Sequence, residues 1–469
     1  MAAGLRLRAA VQSTPDTHDV VIVGAGAAGL AAAHALRGSG LRIVVLDARS
    51  RPGGRICTHR DRFLPLPIEL GAEFVHGVAP ALSHLLEEAG IVVAEVEGQR
   101  WKAAAGQLHP LDDFWSRVDG VMRRIPDKGA DRSFQAFIAR RPGGRRLASD
   151  RTLAAQYVEG FHAADPQYIS TRVLKDQSGP DAERQQRLGR VVDGYDRIVH
   201  WLAAASIDAL RLSTIVSVVD WTRGQVELTV ESAGGAQGAR GRGVSGRPTR
   251  VRARAAVITV PLGVLKAEPG QRGAIRFHPR LDAKAAMLAK LEMGSAIRVA
   301  MRLRERFWAG ARFARRARRP LDTLSFLHGR DEDFPVWWTA YPHRIPLLVG
   351  WCGGPSAYAM SALSRREIEA RAIASLARQW SVSIRTMRAL VQATWTHNWQ
   401  RDPFSRGAYS YQRVGGEHAP DTLGQPLDRT LFFAGEATDS GGATGTVEGA
   451  IASGNRVARE VLQALRVKA

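Results

Sequence analysis

The chain has 469 residues and a formal net charge of +21, since 66 lysines and arginines outnumber 45 aspartates and glutamates. This length allows two or three domains with a full-sized core, and no segment has the roughly 20 consecutive apolar residues of a membrane-spanning helix. The two cysteines, Cys57 and Cys352, lack metal-ligand spacing, which argues against a disulfide framework and a structural metal site. We expect a soluble cytoplasmic protein with no metal ion and no membrane contact.

The basic residues are spread along the whole chain, with one local run at residues 312–319. No nucleic-acid-binding module accompanies them. We therefore interpret the charge as a solvated, arginine-rich surface and expect no specific nucleic acid partner, with a true anionic partner as the alternative.

The first 50 residues have the pattern of a dinucleotide-binding unit. Residues 1–17 contain no apolar core of signal-peptide length and predict a disordered leader. After the apolar run 20–23, which is typical of a buried parallel strand, Gly24, Gly26 and Gly29 form the G-x-G-x-x-G turn that opens a helix towards phosphates. Asp47 ends the next strand, about 20 residues beyond Gly26, where a carboxylate would accept hydrogen bonds from ribose hydroxyls.

The middle of the chain alternates between helical and strand patterns. A mostly helical insertion includes an amphipathic piece at 115–122, and residues 234–246 predict a loop rich in glycine, arginine and alanine. The other predicted elements are a helix at 192–205, strands of a small antiparallel sheet at 212–218 and 226–230, a strand at 256–260 and a helix at 364–380.

The carboxy-terminal block predicts a second half of the same cofactor site. Residues 431–434 form an apolar strand, and the glycines that follow, including Gly445, allow the backbone to lie against a planar ring. Apolar residues then recur at helical spacing from a start near Thr446. The positive end of that helix would stabilise negative charge on a bound ring.

These blocks together resemble the flavin-containing amine oxidase family, within the monoamine oxidase superfamily. The match is closer to polyamine oxidases and the oxidase core of lysine-specific histone demethylases than to monoamine oxidases. The blocks that carry it, in chain order, are 20–55, 68–77, 193–195, 260–266, 294–308, 399–411 and 431–459.

The resemblance implies FAD as cofactor, held noncovalently, because Ala408 stands where monoamine oxidases carry the cysteine that bonds to the flavin. The residues implied to contact FAD are Gly24, Gly26, Ala28, Gly29, Asp47, Ala48, Arg49, Gly54, Arg55, Leu70, Gly71, Ala72, Glu73, Val216, Pro261, Trp399, Phe404, Gly435, Glu436, Gly445, Thr446, Val447 and Ala450.

The resemblance also implies hydride transfer to flavin N5 from the carbon next to a neutral amine, while the protein orients the C–H bond and excludes water. Tyr409 matches a position that flanks the substrate at the flavin face. Thr446 stands where monoamine oxidases place a second tyrosine, so half of an aromatic cage is expected. His76 matches a histidine in the substrate tunnel of polyamine oxidases, although a surface role is the alternative.

One position departs from the family pattern. The segment after Gly294 places Arg298 where the family has a lysine that bridges through water to flavin N5. Arginine keeps the charge and the donors but cannot release a proton at physiological pH. We hypothesise that reactivity with O2 is weakened, or that Arg298 binds an acidic group of the substrate.

We therefore predict an α/β (α+β) fold in which a Rossmann-like FAD-binding domain of the GR2 type is interleaved with a substrate-binding domain of mixed sheet and helices. The FAD-binding domain is expected at 18–80, 190–270 and 400–469, and the substrate-binding domain at 81–189 and 271–399.

The predicted activity is FAD-dependent oxidation of a small-molecule amine, either a polyamine or another primary or secondary amine. The imine formed is hydrolysed to an aldehyde and an amine, and O2 is reduced to H2O2. The basic surface argues mildly against spermine-like polycations. The alternatives are an L-amino-acid oxidase, if an arginine binds a carboxylate, and a catalytically weak FAD-binding scaffold.

Overall fold

The computed structural model describes residues 16–77, 79–104, 106–176, 187–233 and 248–467. The strands are β1 (Asp16–Val23), β2 (Ile43–Leu46), β3 (Thr58–His59), β4 (Ile68–Glu69), β5 (Phe74–His76), β6 (Val93–Glu95), β7 (Gln99–Ala104), β8 (Gln107–Pro110), β9 (Leu188–Val191), β10 (Leu210–Arg211), β11 (Thr214–Thr222), β12 (Gln225–Ser232), β13 (Thr249–Ile258), β14 (Arg276–His278), β15 (Leu291–Met293), β16 (Ala296–Leu303), β17 (Leu324–His328), β18 (Val336–Thr339), β19 (Leu347–Gly353), β20 (Val391–Trp395), β21 (Ser410–Gln412) and β22 (Leu431–Phe433). The helices are α1 (Ala27–Ala35), α2 (Pro80–Glu88), α3 (Phe114–Met122), α4 (Phe134–Ala139), α5 (Ala148–Phe161), α6 (Thr171–Asp176), α7 (Asp196–Ala204), α8 (Leu262–Leu265), α9 (Asp282–Leu288), α10 (Ala311–Ala317), α11 (Gly354–Met360), α12 (Arg365–Gln379), α13 (Ile384–Leu390), α14 (Ala419–Gly424) and α15 (Val447–Leu465).

The first sheet is built around the dinucleotide strand. Its order is β10-β2-β1-β13-β12-β11-β14, with β22 paired to β13. Strand β1 runs parallel to both of its neighbours, so that Val23 lies opposite Leu46 on β2 and Ile258 on β13. Helices α1, α7 and α15 cover one face of these strands, and the side chains of the other face belong to a second apolar cluster, so both faces are apolar. Their carboxyl ends meet at one edge, which is where such sheets bind ligands.

The prediction of a separate small antiparallel sheet is wrong. Strands β11 and β12 pair with each other as expected, but β12 also pairs antiparallel with β13. Strand β13 pairs with β1 along one edge, and its other edge pairs with β12 at residues 249–253 and with β22 at residues 256–258. The two predicted strands therefore extend the dinucleotide sheet.

The second sheet has the order β20-β16-β19-β18-β17-β7-β8. The segment predicted to be mostly helical thus also contributes strands β7 and β8. Strand β16 places Arg298 opposite Trp351 on β19, and β7 places Arg100 opposite Phe326 on β17. Helices α3 to α6 pack together beside this sheet around a core of their own. The mixed α/β architecture agrees with the predicted fold class, and the limits of the two domains stay a prediction.

Several predicted boundaries shift in the structure. Strand β1 begins at Asp16, which pairs with Val251, so residues 16 and 17 belong to the first sheet and not to the expected leader. The helix expected at 192–205 begins only at Asp196, because β9 ends at Val191 and a turn with Gly194 at φ +100° follows. The helix expected at 364–380 is α12, closed at its start by a capping box between Ser364 and Glu367. Residues 1–15 and the loop predicted at 234–246 lie outside the described residues.

Glycines allow α1, α15 and the dinucleotide turn to approach closely. A Cβ at Gly29 would lie 1.9 Å from the Gly24 carbonyl oxygen, and one at Gly454 would lie 2.4 Å from the Ala28 carbonyl oxygen. The third glycine of the fingerprint therefore serves helix packing. Within the described ranges, no helix is long and apolar enough to cross a membrane.

Gly454→Ala is expected to lower the free energy of unfolding by about 1–3 kcal/mol, because the new methyl group forces α15 away from α1. The matched control is Gly120→Ala in α3, where a Cβ would meet no described atom within 4 Å. That change should be neutral or stabilising by up to ~1 kcal/mol. Equal chemical denaturation curves for the two variants would contradict the packing role.

Candidate active site

A cavity of about 610 Å³ lies between the two sheets and the helices beside them. Its wall includes the dinucleotide turn at Gly24 and Gly26, the strand residue Arg298, and the start of α15 at Thr446. The amino-terminal and carboxy-terminal cofactor segments therefore line the same cavity, as their paired signals predict, and the second sheet forms another part of its wall.

Nearly all predicted site residues line this cavity. They are Gly24, Gly26, Ala28, Asp47, Ala48, Arg49, Gly54, Arg55, Leu70, Gly71, Ala72, Glu73, His76, Val216, Pro261, Arg298, Trp399, Phe404, Tyr409, Gly435, Glu436, Gly445, Thr446, Val447 and Ala450. Gly29 is the exception, since it lies behind the turn against Gly24. Their individual roles stay predictions.

Asp47 organises the turn at the first end of the cavity. Its buried carboxylate accepts hydrogen bonds from the backbone N–H groups of Ala25 and Arg49, both at 2.8 Å. These hydrogen bonds by themselves would lower the pKa of Asp47, but burial outweighs them and raises it. Each carboxylate oxygen can accept a second hydrogen bond. Asp47 can therefore hold the turn and still accept from ribose hydroxyls on the cavity side.

Arg49 secures the next part of the wall. Its Nη2 donates to Asp402 Oδ1 at 2.8 Å and to Ser405 Oγ at 2.9 Å. Its guanidinium also lies 5.5 Å from the centre of the Phe404 ring. Arg49 and Phe404, which are predicted separately as cofactor contacts, therefore pack against each other in the cavity wall.

A buried junction around Glu436 joins three segments of the cavity wall. Arg55 Nη1 donates to Glu436 Oε1 at 2.8 Å and to the Ala408 carbonyl oxygen at 2.9 Å. Glu436 Oε2 accepts from the backbone N–H and the hydroxyl of Ser410 at 3.2 and 2.6 Å. Because all three segments border the cavity, this junction fixes the shape of that part of the wall.

The residues present fit a dinucleotide cofactor. Gly26 borders the cavity, and a Cβ built there would meet no described atom within 4 Å. At the far end, Thr446 is the N-cap of the 19-residue helix α15, and its Oγ1 accepts from Gly449 N at 3.1 Å. The positive end of α15 therefore faces the cavity.

Arg298 is held by an acidic residue of the chain itself. Its Nη1 donates to the Gly71 carbonyl oxygen at 3.0 Å, and its Nη2 donates to Glu73. Glu73 also accepts from Arg190 Nη2 at 2.7 Å and from Trp338 Nε1. Burial by itself would raise the pKa of Glu73, but Arg298 and Arg190 outweigh it and lower the pKa. Arg298 thus shares a carboxylate of the chain with Arg190, and its binding of an acidic substrate group stays a prediction.

The weakened reactivity with O2 hypothesised for Arg298 stays a prediction. We expect the reduced Arg298→Lys enzyme to react with O2 faster than the wild type, because lysine can exchange a proton and arginine cannot. Stopped-flow absorbance after mixing the reduced enzyme with O2 measures this rate. Equal rates would contradict the hypothesis.

Aromatic rings and uncharged imidazoles line the part of the cavity near Tyr409. The Tyr409 hydroxyl donates to the Phe161 carbonyl oxygen at 2.7 Å. The His76 ring lies 5.4 Å from the Phe161 ring, and its buried Nδ1 has no hydrogen-bond partner among the described residues. Burial lowers the pKa of His76 to about 4, so this imidazole is neutral at physiological pH. His76 thus borders the cavity, and its place in a substrate tunnel stays a prediction.

A second buried carboxyl group, Glu69, lies near the ion pair of Glu73 and Arg298. Glu69 accepts from Tyr195 N at 2.8 Å and from the Thr58 hydroxyl at 2.7 Å. Burial raises its pKa to about 7 in spite of these hydrogen bonds. The folded state therefore favours the protonated form, and the stability this contributes is lost as the pH rises from about 4.5 to about 7.

Glu69→Gln is expected to remove this pH dependence, because the amide does not ionise and its oxygen still accepts from Tyr195 N. Relative to the variant, the wild type should lose on the order of 3 kcal/mol of unfolding free energy between pH 4.5 and 7. Denaturant unfolding across this range checks the prediction, with the exposed Glu305→Gln as control. Parallel pH profiles for the wild type and Glu69→Gln would contradict it.

Residues 27–462 match the model of the family described as flavin containing amine oxidoreductase. The chain belongs to this family. Its cofactor is accordingly FAD, and the predicted membership near polyamine oxidases and demethylase homologues is confirmed.

Two plant relatives illustrate the position of this flavin amine oxidase within the family. Polyamine oxidase 3 of Oryza sativa subsp. japonica is 28% identical over 483 residues, which cover 96% of this chain and 90% of the rice protein. Lysine-specific histone demethylase 1 homolog 3 of Arabidopsis thaliana is 27% identical over 528 residues. That match covers 96% of this chain but 30% of the homologue, so the chain spans less than a third of that relative's length.

Solved structures show the same fold. Putrescine oxidase bound to putrescine superposes with a TM-score of 0.75 at 22% identity, covering 96% of this chain and 100% of the other. Cyclohexylamine oxidase from Brevibacterium oxydans gives a TM-score of 0.75 at 21% identity with the same coverage. The predicted fold class is therefore confirmed.

Several residues of this amine oxidase cavity were missed by the sequence analysis. They come from the insertion and from β17 and β18, and are Arg100, Trp115, Asp119, Tyr157, His162, His328 and Trp338. The family blocks are weakest in these regions, so no motif marks the residues. One signal was available for Arg100. Neighbouring residues of a strand point to opposite faces, so burial of Trp101 on one face would place Arg100 on the other.

Proposed function

We propose that this flavin amine oxidase oxidises a small-molecule amine in the aromatic part of the cavity, next to Tyr409 and His76. The observation that carries the proposal is the continuity of the cavity, which joins the dinucleotide turn to a chamber of aromatic rings. Bound FAD supplies the two-electron acceptor for this chemistry. The residues that would hold it are those of the turn, the Asp47 carboxylate, the Arg55–Glu436 junction and the start of α15.

The protein groups favour the neutral form of the amine. Burial lowers the pKa of His76 and His162 to about 4 and that of His328 to about 3, so three imidazoles of the wall stay uncharged. The Tyr409 hydroxyl is held by Phe161, which leaves its ring to bound one side of the chamber. A chamber walled mainly by aromatic rings and neutral imidazoles would exclude water and orient the C–H bond of the substrate.

The overall reaction consumes the amine, O2 and water. A C–N single bond becomes an imine with loss of two electrons and two protons, and water then cleaves the imine to an aldehyde and an amine. O2 takes up the two electrons and two protons as H2O2. We further propose that FAD is held noncovalently, because Ala408 lines the cavity whereas neither Cys57 nor Cys352 does.

A peroxide-release screen of the FAD-loaded enzyme tests this function. The panel contains polyamines, aromatic monoamines and amino acids, and we expect peroxide to form with at least one class. FAD binding without peroxide from any class would contradict turnover and favour the scaffold alternative.

A further inference from the structure

Arg100 is a cation without an anionic partner in the wall of the chamber. It lies on β7, is partly buried, and lines the cavity. Among the described residues, no carboxylate forms an ion pair with it. Its guanidinium instead lies over the rings of Phe114, Trp115 and Phe326, at 5.7, 5.4 and 4.9 Å from their centres. The cation is thus held in a fixed position by aromatic faces.

Because it is partly removed from water and has no carboxylate partner among the described residues, the Arg100 guanidinium would bind an anion favourably. Burial lowers the pKa of Arg100 to about 10, which leaves it charged at physiological pH. A charge removed from water without a partner is unfavourable, and a hydrogen-bonded counterion removes the penalty. The planar guanidinium fork matches a carboxylate with two parallel hydrogen bonds. Arg298 and Arg190 differ from Arg100 in this respect, since both pair with Glu73.

Arg100 lies away from the predicted reaction centre. Two rows of rings separate Arg100 from His76. On one side Phe326 and Phe74 have centres 6.1 Å apart, and Phe74 lies 6.2 Å from His76. On the other side the rings of Trp115, Tyr157 and Phe161 follow one another, with centres 5.6 and 5.0 Å apart. The Phe161 ring then contacts His76 at 5.4 Å. A substrate that reacts beside Tyr409 and reaches Arg100 must therefore carry its anionic group at a distance from the reacting carbon.

We propose that Arg100 binds a carboxylate at the far end of the amine, so that the preferred substrates are ω-amino carboxylates and not diamines. This inference rests on the proposed amine oxidation. A diamine would bring a second ammonium group towards the Arg100 cation, which repels it. Asp119 on α3 also lines the cavity, and it is the acidic group that a diamine would use instead.

The test compares three amines of equal chain length: 5-aminopentanoate, 1,5-diaminopentane and pentylamine. We expect the wild type to prefer the amino carboxylate over the diamine by at least about 100-fold in kcat/KM, as for sites built around one polar group. Arg100→Gln should lose this preference through a higher KM for 5-aminopentanoate, and Arg100→Lys should keep part of it. Arg319→Gln is the matched control, since Arg319 is exposed and lies over the Trp101 ring at 5.2 Å.

Calorimetric binding of pentanoate separates this inference from the proposed function. Pentanoate has no amine to oxidise, so its binding to the FAD-loaded wild type, and the loss of binding in Arg100→Gln, would support the carboxylate site even without turnover. An unchanged substrate ratio or unchanged pentanoate affinity in Arg100→Gln would overturn it. A wild-type preference for the diamine that Asp119→Asn abolishes would overturn it as well.

Discussion

Glu73→Gln is expected to lower the free energy of unfolding by about 3–5 kcal/mol, the range for breaking a buried ion pair by removing one partner. The amide retains the shape of the carboxylate but leaves Arg298 and Arg190 without a counter-charge. The side chains of Glu73 and Arg298 are 7% and 5% exposed, so water cannot replace the lost partner. Denaturant unfolding at a fixed FAD concentration measures the change, because bound cofactor itself adds stability.

The chain contains a matched control for this prediction. Glu227 also pairs with two arginines, Arg250 and Arg252, but the arginine side chains are 65% and 43% exposed. Glu227→Gln should therefore cost only about 0–1 kcal/mol. The double variant Glu73→Gln/Arg298→Met should recover part of the loss, since it removes one of the two stranded charges. Similar losses for Glu73→Gln and Glu227→Gln would contradict the account of the buried network.

Gly26→Ala is expected to weaken FAD binding by roughly 10- to 100-fold while leaving the stability of the cofactor-free protein unchanged. Within the described structure the added Cβ meets no atom, and the space it would fill belongs to the cavity wall. The backbone at Gly26 has φ −78° and ψ −175°, which alanine adopts without strain. The penalty therefore falls on the cofactor alone, and Gly26→Val should increase it.

Fluorescence titration of the apoprotein with FAD, together with apoprotein unfolding, separates the two effects. Gly120→Ala serves as the control, because Gly120 is in α3 and does not line the cavity. Unchanged FAD affinity in Gly26→Ala would show that the cofactor does not approach this turn. A loss of apoprotein stability would instead assign Gly26 to packing, as for Gly29.

The cofactor half of the cavity could be predicted because its signals are local. The strand, glycine turn and helix around Gly26 follow one another within the chain, and Asp47 closes the next strand. Each feature depends on backbone geometry that short patterns encode. The start of α15 was predicted within one residue for the same reason, since Thr446 is its N-cap.

The substrate half could not be predicted because its contacts join distant segments. Glu73 and Arg298 were each named, yet nothing in the local pattern of either shows that they pair. Arg100 was missed because its role depends on rings from β17 and α3, which tertiary packing brings together. The extended first sheet was missed for a related reason: strand order depends on pairing partners rather than on alternation within a strand.

The central claim is that an amine bound in the aromatic chamber reduces the FAD held in the same cavity. Anaerobic mixing of the FAD-loaded enzyme with 5-aminopentanoate, pentylamine and 1,5-diaminopentane in turn tests it most directly, with the flavin absorbance as readout. We predict that the oxidised flavin absorbance is lost with at least one of these amines and returns, with one H2O2 per flavin, when O2 is admitted. An enzyme that binds these amines by calorimetry but keeps its flavin oxidised with every one of them would contradict the account.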